Sequence, residues 1–103
     1  MSNADSKTAQ SIEVRKDIQP PSLYNVIFVN DDVTTVDFVI AVLSAVFSYD
    51  HAEAITLTQK IHEEGAAVVA LYPYELAEQK AIETTIMARN NSFPLMVKIE
   101  ANS

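Results

Sequence analysis

Leu23 to Phe47 reads LYNVIFVNDDVTTVDFVIAVLSAVF, and the change of pattern inside it decides the fold. Leu23–Val29 is rich in β-branched and aromatic residues. It is bounded by Pro20-Pro21 on one side and Asn30-Asp31-Asp32 on the other, which predicts a strand. From Val36 onward, Val36, Val39, Ile40, Leu43, Val46 and Phe47 recur at helical spacing. Thr34, with Asp37 three residues on, is the expected N-cap and capping box of that helix. Working outward, a second helix is expected from Asp50, with Glu53 as capping partner and Ala54, Leu57, Thr58 and Ile61 on one face. Gly65, the one glycine of the chain, sits where a helix ends in a left-handed residue. Ala67–Leu71 then reads as a buried strand. Pro73 opens a third helix, carried by Leu76, Ala77, Lys80, Ala81, Thr84 and Ala88 to Asn90-Asn91, and Leu95–Ile99 alternates as a last strand. The order β-α-α-β-α-β predicts an α+β domain with three helices packed on a small three-stranded antiparallel sheet.

The 103 residues carry a formal net charge of −7, a length that suits one domain. Residues 1–22 balance three acids against three bases, whereas 23–103 hold eleven acids and four bases. The polar, aperiodic stretch 1–22 reads as a mobile N-terminal extension, and 23–103 as the core domain. So few scattered cations argue against nucleic acid as a partner. The lack of cysteine removes disulfides, thiolate nucleophiles and Cys-based zinc sites. The longest apolar run, Val36–Phe47, is interrupted by Asp37 and Ser44 and is too short to span a membrane. No basic-then-apolar leader opens the chain. The expectation is a cytoplasmic monomer that needs neither cofactor nor metal.

Asn30-Asp31-Asp32 closes a strand just before a helix. Asn and Asp suit such a turn, and carboxylates suit the positive end of the helix. An acidic pair could also hold Mg²⁺, as in a phosphoacceptor domain. No later strand, however, ends in the lone Asp or the Lys which that doubly wound fold uses. His62 ends the second helix on the side of Thr58 and Ile61, while His51 lies at its other end. Eleven positions apart and without a third ligand nearby, they make poor zinc spacing. With no G-x-S-x-G elbow, no cysteine and no glycine-rich loop, no enzyme is expected.

Pro20-Pro21-Ser22-Leu23-Tyr24, Asn30-Asp31-Asp32 with Thr34, Phe38-Val39, Phe47-Ser48-Tyr49, Ile61-His62-Glu63-Glu64-Gly65 and Phe93-Pro94-Leu95 follow one another in order. Together they resemble the ClpS adaptor family over essentially the whole core. The resemblance implies the fold above and a binding role. Such proteins capture substrates with a destabilising N-terminal residue, typically Leu, Phe, Tyr or Trp. They hand them to a ClpA- or ClpC-type AAA+ unfoldase coupled to the ClpP peptidase. A free α-ammonium has three donors and no acceptor, so its site needs convergent acceptors and negative charge. By resemblance Asn30, Asp31 and His62 supply them, Thr34 lines the site and Asp32 supports the loop. Phe28, Val36, Val39, Thr58, Ile61 and Leu95 match the apolar pocket for the first side chain, whose burial contributes roughly 1.5–3 kcal/mol. Glu75 and Lys80 match positions that dock the N-terminal domain of the unfoldase, and residues 1–22 match an extension needed for delivery.

The chain departs from the family pattern at several places. Thr35 replaces the usual proline, and Ala70 replaces a common glycine. Val36 and Thr58 stand where Met is common, and both are shorter and stiffer. The expectation is a reshaped pocket, with a shifted ranking among Leu, Phe, Tyr and Trp or with Ile and Val admitted. Two alternatives stand beside the adaptor: an unfoldase modulator that docks without recruiting N-degrons, and a Mg²⁺-dependent phosphoacceptor.

Overall fold

The strand expected at Leu23–Val29 forms there and becomes the centre of the sheet. In the computed structural model, which describes residues 20–103, β1 (Leu23–Val29) is followed by α1 (Val36–Phe47), α2 (His51–Glu64), β2 (Ala66–Pro73), α3 (Tyr74–Asn90) and β3 (Met96–Ala101). All but Pro20–Ser22 of the expected N-terminal extension lies outside the described residues. The strand order is β2-β1-β3, with both pairs antiparallel. This is the expected β-α-α-β-α-β architecture, and its sheet is not the doubly wound parallel sheet a phosphoacceptor domain would need. The third strand begins at Met96 rather than Leu95, and the second runs on to Pro73.

Alternation along β1 sends Tyr24, Val26 and Phe28 to one face of the sheet, and the helices pack on that face. Val26, Phe28, Val42 and Leu43 are fully buried there. Phe28 meets Phe47 edge to face with ring centres 5.6 Å apart, and Phe47 in turn stacks on Tyr72 at 6.4 Å. Tyr72 reaches this face only because β2 carries a bulge. Val26 pairs with Ala70 and Ile27 with Val68, leaving Val69 as the extra residue. The Tyr49 hydroxyl donates to the Val69 carbonyl at 2.5 Å, which supplies a partner at the point where the ladder is disrupted.

Helix ends follow local side-chain chemistry, with one correction. Asp50 and Glu53 form the expected reciprocal capping box of α2, and Gly65 ends that helix with φ +86°. The N-cap of α1, in contrast, is Thr35 and not Thr34. The Thr35 hydroxyl accepts from the Phe38 amide at 3.2 Å, while the Thr34 hydroxyl donates to the Asp31 carboxylate at 2.7 Å. A charged acceptor three residues back is the stronger partner, so it holds Thr34 and leaves the cap to its neighbour. Pro73 likewise occupies the N-cap of α3, with Tyr74 as the first helical residue.

Two hydroxyls predict opposite effects. The Thr84 hydroxyl is fully buried in α3 without a hydrogen-bond partner among the described residues. Thr84→Val keeps the shape and removes the unpaired group, and urea denaturation should show a gain of about 1 kcal/mol. Tyr49→Phe strands the Val69 carbonyl and should cost about 1–2 kcal/mol in the same measurement.

Candidate functional site

A cleft of about 440 Å³ opens between the β1–α1 loop and the C-terminal half of α2. One wall runs from Asn30 through Val36 to Val39, and Thr58, Ile61 and His62 form the other. The helical repeat puts Thr58, Ile61 and His62 on one face of α2, since positions three and four apart are neighbours. The loop wall is held against that helix from below. Asn30 donates its backbone N–H to the Gly65 carbonyl at 2.9 Å, and the Gly65 amide bonds back to the Ile61 carbonyl at 2.9 Å.

Asp31 shapes the loop itself. One carboxylate oxygen accepts the Val33 amide at 2.8 Å and the Thr34 amide at 2.7 Å, while the other accepts the Thr34 hydroxyl at 2.7 Å. A carboxylate has about four lone-pair sites, so this arrangement leaves one free on the second oxygen. Burial is the largest single influence on the Asp31 carboxyl and pushes its pKa up. The hydrogen bonds from Thr34 and Val33, aided by the positive charge of Arg89, outweigh it and hold the group below its ordinary range. The expectation that Asp32 supports the loop is therefore corrected: Asp31 does so. Asp32 is exposed, lines the cleft and accepts no hydrogen bond among the described residues.

The cleft brings together Asn30, Asp31, Asp32, Thr34, Val36, Val39, Thr58, Ile61 and His62, which were expected together. Phe28 and Leu95 are not on its surface. Both are essentially fully buried in the core, where Phe28 packs on Phe47. The Thr58 hydroxyl is engaged within α2, donating to the Ala54 carbonyl at 2.7 Å. Val33 and Thr35 also line the cleft, and sequence reasoning missed them. Their signal was position alone, between residues already singled out.

Arg89 was missed as well. It donates from one guanidinium nitrogen to the Phe93 carbonyl at 2.7 Å and the Leu95 carbonyl at 3.1 Å, bridging Pro94. Phe93 in turn packs on Phe38 of α1 at 5.0 Å between ring centres. The α3–β3 turn is thereby fastened beside the acidic loop, since Val33 and Arg89 share a neighbouring cleft. Glu75 and Lys80 lie elsewhere, on α3, and five residues separate them by about 140° around the helix. Glu75 is exposed in the first turn. Lys80 is half-buried, its ammonium donating to the Val46 carbonyl at 2.9 Å at the C-terminal end of α1.

Residues 19–98 match the family described as ATP-dependent Clp protease adaptor protein ClpS. The chain belongs to the ClpS family. It is 43% identical over 88 residues to the ATP-dependent Clp protease adapter protein ClpS of Sodalis glossinidius, covering 85% of this chain and 83% of that one. Its identity to the ClpS of Nautilia profundicola is 43% over 93 residues, covering 90% and 96%. Among solved structures, Agrobacterium tumefaciens ClpS2 bound to L-phenylalaninamide superposes with a TM-score of 0.78 at 37% identity, covering 81% of this chain and 100% of that one. As a ClpS protein, the chain is a Clp protease adaptor. No helix among the described residues is long and apolar enough to cross a membrane.

The Asp31 arrangement gives the ClpS loop a defined acid response. The folded carboxyl has a pKa below its ordinary value of 3.8. Its stabilisation is therefore present above that value and lost as pH falls through it towards the lower folded one. Amide exchange of Val33 and Thr34, followed by NMR, should lose protection over that window before the sheet amides do. In Asp31→Asn the step should vanish.

Proposed function

We propose that this ClpS protein captures proteins whose first residue is bulky and apolar and whose α-amine is free, and delivers them to a ClpA- or ClpC-type AAA+ unfoldase for degradation by ClpP in the cytoplasm. Its part is binding and not catalysis. The observation that carries the proposal is the joining, in one cleft, of the polar groups of Asn30, Asp31 and His62 with the apolar surfaces of Val36, Val39 and Ile61. An amino terminus presents the matching pair, three N–H donors beside an apolar side chain. The ligand of the similar Agrobacterium protein, L-phenylalaninamide, is a free α-amine carrying a benzyl group.

In this reading the free lone-pair site of Asp31 and the side chains of Asn30 and His62 receive the α-ammonium, and Asp32 adds negative charge at the rim. Thr34 acts through Asp31. Val36, Val39, Thr58 and Ile61 receive the first side chain, with Phe28 and Leu95 as the packed layer that supports them. Glu75 offers an exposed contact to the unfoldase. Lys80 ties the end of α1 to α3 through the Val46 carbonyl and bears on docking by holding that surface together. Residues 1–22 supply the extension that the unfoldase grips.

Fluorescence anisotropy with short peptides differing only in residue one tests the capture step. Leu, Phe, Tyr and Trp peptides should bind. N-acetylation of the Phe peptide should weaken binding at least tenfold, because it leaves acceptors unpaired at about 1–3 kcal/mol each. Asn30→Ala and His62→Ala should each weaken the Phe peptide by a similar factor. Val36→Met should change the ranking among first residues. Failure of all peptides to bind, with docking to the unfoldase retained, would favour the modulator that recruits nothing.

A further inference from the structure

Beside the cleft lies a second one of about 220 Å³, and Val36, Thr58 and His62 line both. The rest of the second cleft is Gln59 and Glu63, four residues apart on α2 and both exposed. Three features of this surface fit one kind of side chain. The divide between the clefts is short and, His62 aside, apolar: Val36 is 56% exposed, and Thr58 has its hydroxyl tied to the Ala54 carbonyl. Beyond the divide stand an amide and a carboxylate, both able to accept hydrogen bonds. Glu63 is also free to take a cation, since the one ion pair among the described residues is Lys98–Glu100. A methylene stem laid across the apolar divide, with a positive head at Gln59 and Glu63, satisfies all three.

We infer that the second cleft is a subsite for a lysine or arginine side chain carried by the second or third residue of a bound N-terminus. The inference rests on the reading of the first cleft given above. It adds a second determinant to recognition, a cationic one next to the apolar one. The short residues at positions 36 and 58 join the two clefts, so that one ligand can occupy both.

The test compares peptides beginning Phe-Ala-Ala, Phe-Lys-Ala and Phe-Ala-Lys, with norleucine replacing lysine as the uncharged stem, on the wild-type chain, Glu63→Gln and Glu64→Gln. One lysine peptide should bind about threefold to fivefold more tightly than its norleucine counterpart, the range of a single exposed ion pair. The advantage should disappear in Glu63→Gln and persist in Glu64→Gln. Equal loss in both variants, or persistence in Glu63→Gln, would assign the preference to the general acidity of the domain and overturn the subsite. Binding of Phe-Ala-Ala without any lysine advantage overturns the subsite alone. No binding of Phe-Ala-Ala overturns the capture reading and the subsite with it.

Discussion

The hydrogen bond from the Asn30 amide to the Gly65 carbonyl joins the two halves of the site. On one side it starts the acidic loop, and on the other it ends the helix that carries Thr58, Ile61 and His62. Gly65 makes this possible because its φ of +86° turns the chain sharply out of α2, a conformation that L side chains rarely adopt. Open space surrounds the position where a Cβ would stand, so the restriction is one of backbone conformation and not of crowding. The turn delivers Ala66 opposite Val29, which begins the β1–β2 ladder. Site and sheet are thus aligned by the same residue.

Within the loop, one carboxylate has two jobs of different kinds. Asp31 organises Val33 and Thr34 by hydrogen bonding, and it carries negative charge to the edge of the cleft. These roles support each other, since the donors that shape the loop also keep the carboxyl ionised. Arg89 reinforces the arrangement from the far side while holding the Phe93 and Leu95 carbonyls. The acidic loop, the α3–β3 turn and the start of α1 therefore form one supported wall, with Phe38 on Phe93 as its apolar contact.

Much of this was legible in the sequence because it rests on local chemistry. The first strand, the Asp50–Glu53 box and the Gly65 stop each depend on residues close together in the chain. The misassigned cap shows where such reasoning fails. Thr34 and Thr35 are equivalent as isolated cap residues, and only the backward reach of Asp31 separates them. Phe28 and Leu95 were expected on the cleft by resemblance to the family's pocket positions, and an apolar residue at such a position suits either lining or support. Burial decides between those roles, and burial is a property of the packed whole. Arg89 carried no signal at all, since its partners are backbone carbonyls, which every sequence possesses. The bulge at Val69 was hidden for a related reason: a continuous apolar run looks the same with or without an extra residue.

The central position of β1 has a consequence for how the chain comes to be folded. The strand made first is the one flanked on both sides, and its partners begin at Ala66 and Met96. Neither edge of Leu23–Val29 can be satisfied by anything nearby in the chain. The α1–α2 pair can assemble from local contacts, but the sheet must close long loops, which slows its formation. The cleft inherits that order, because its acidic wall is the continuation of β1 and is fastened to the residue that starts β2. An unfinished or half-folded copy consequently presents a bare apolar strand in place of a formed cleft. The wall itself is complete only when the α3–β3 turn, held by Arg89 and by Phe93 on Phe38, has closed beside it.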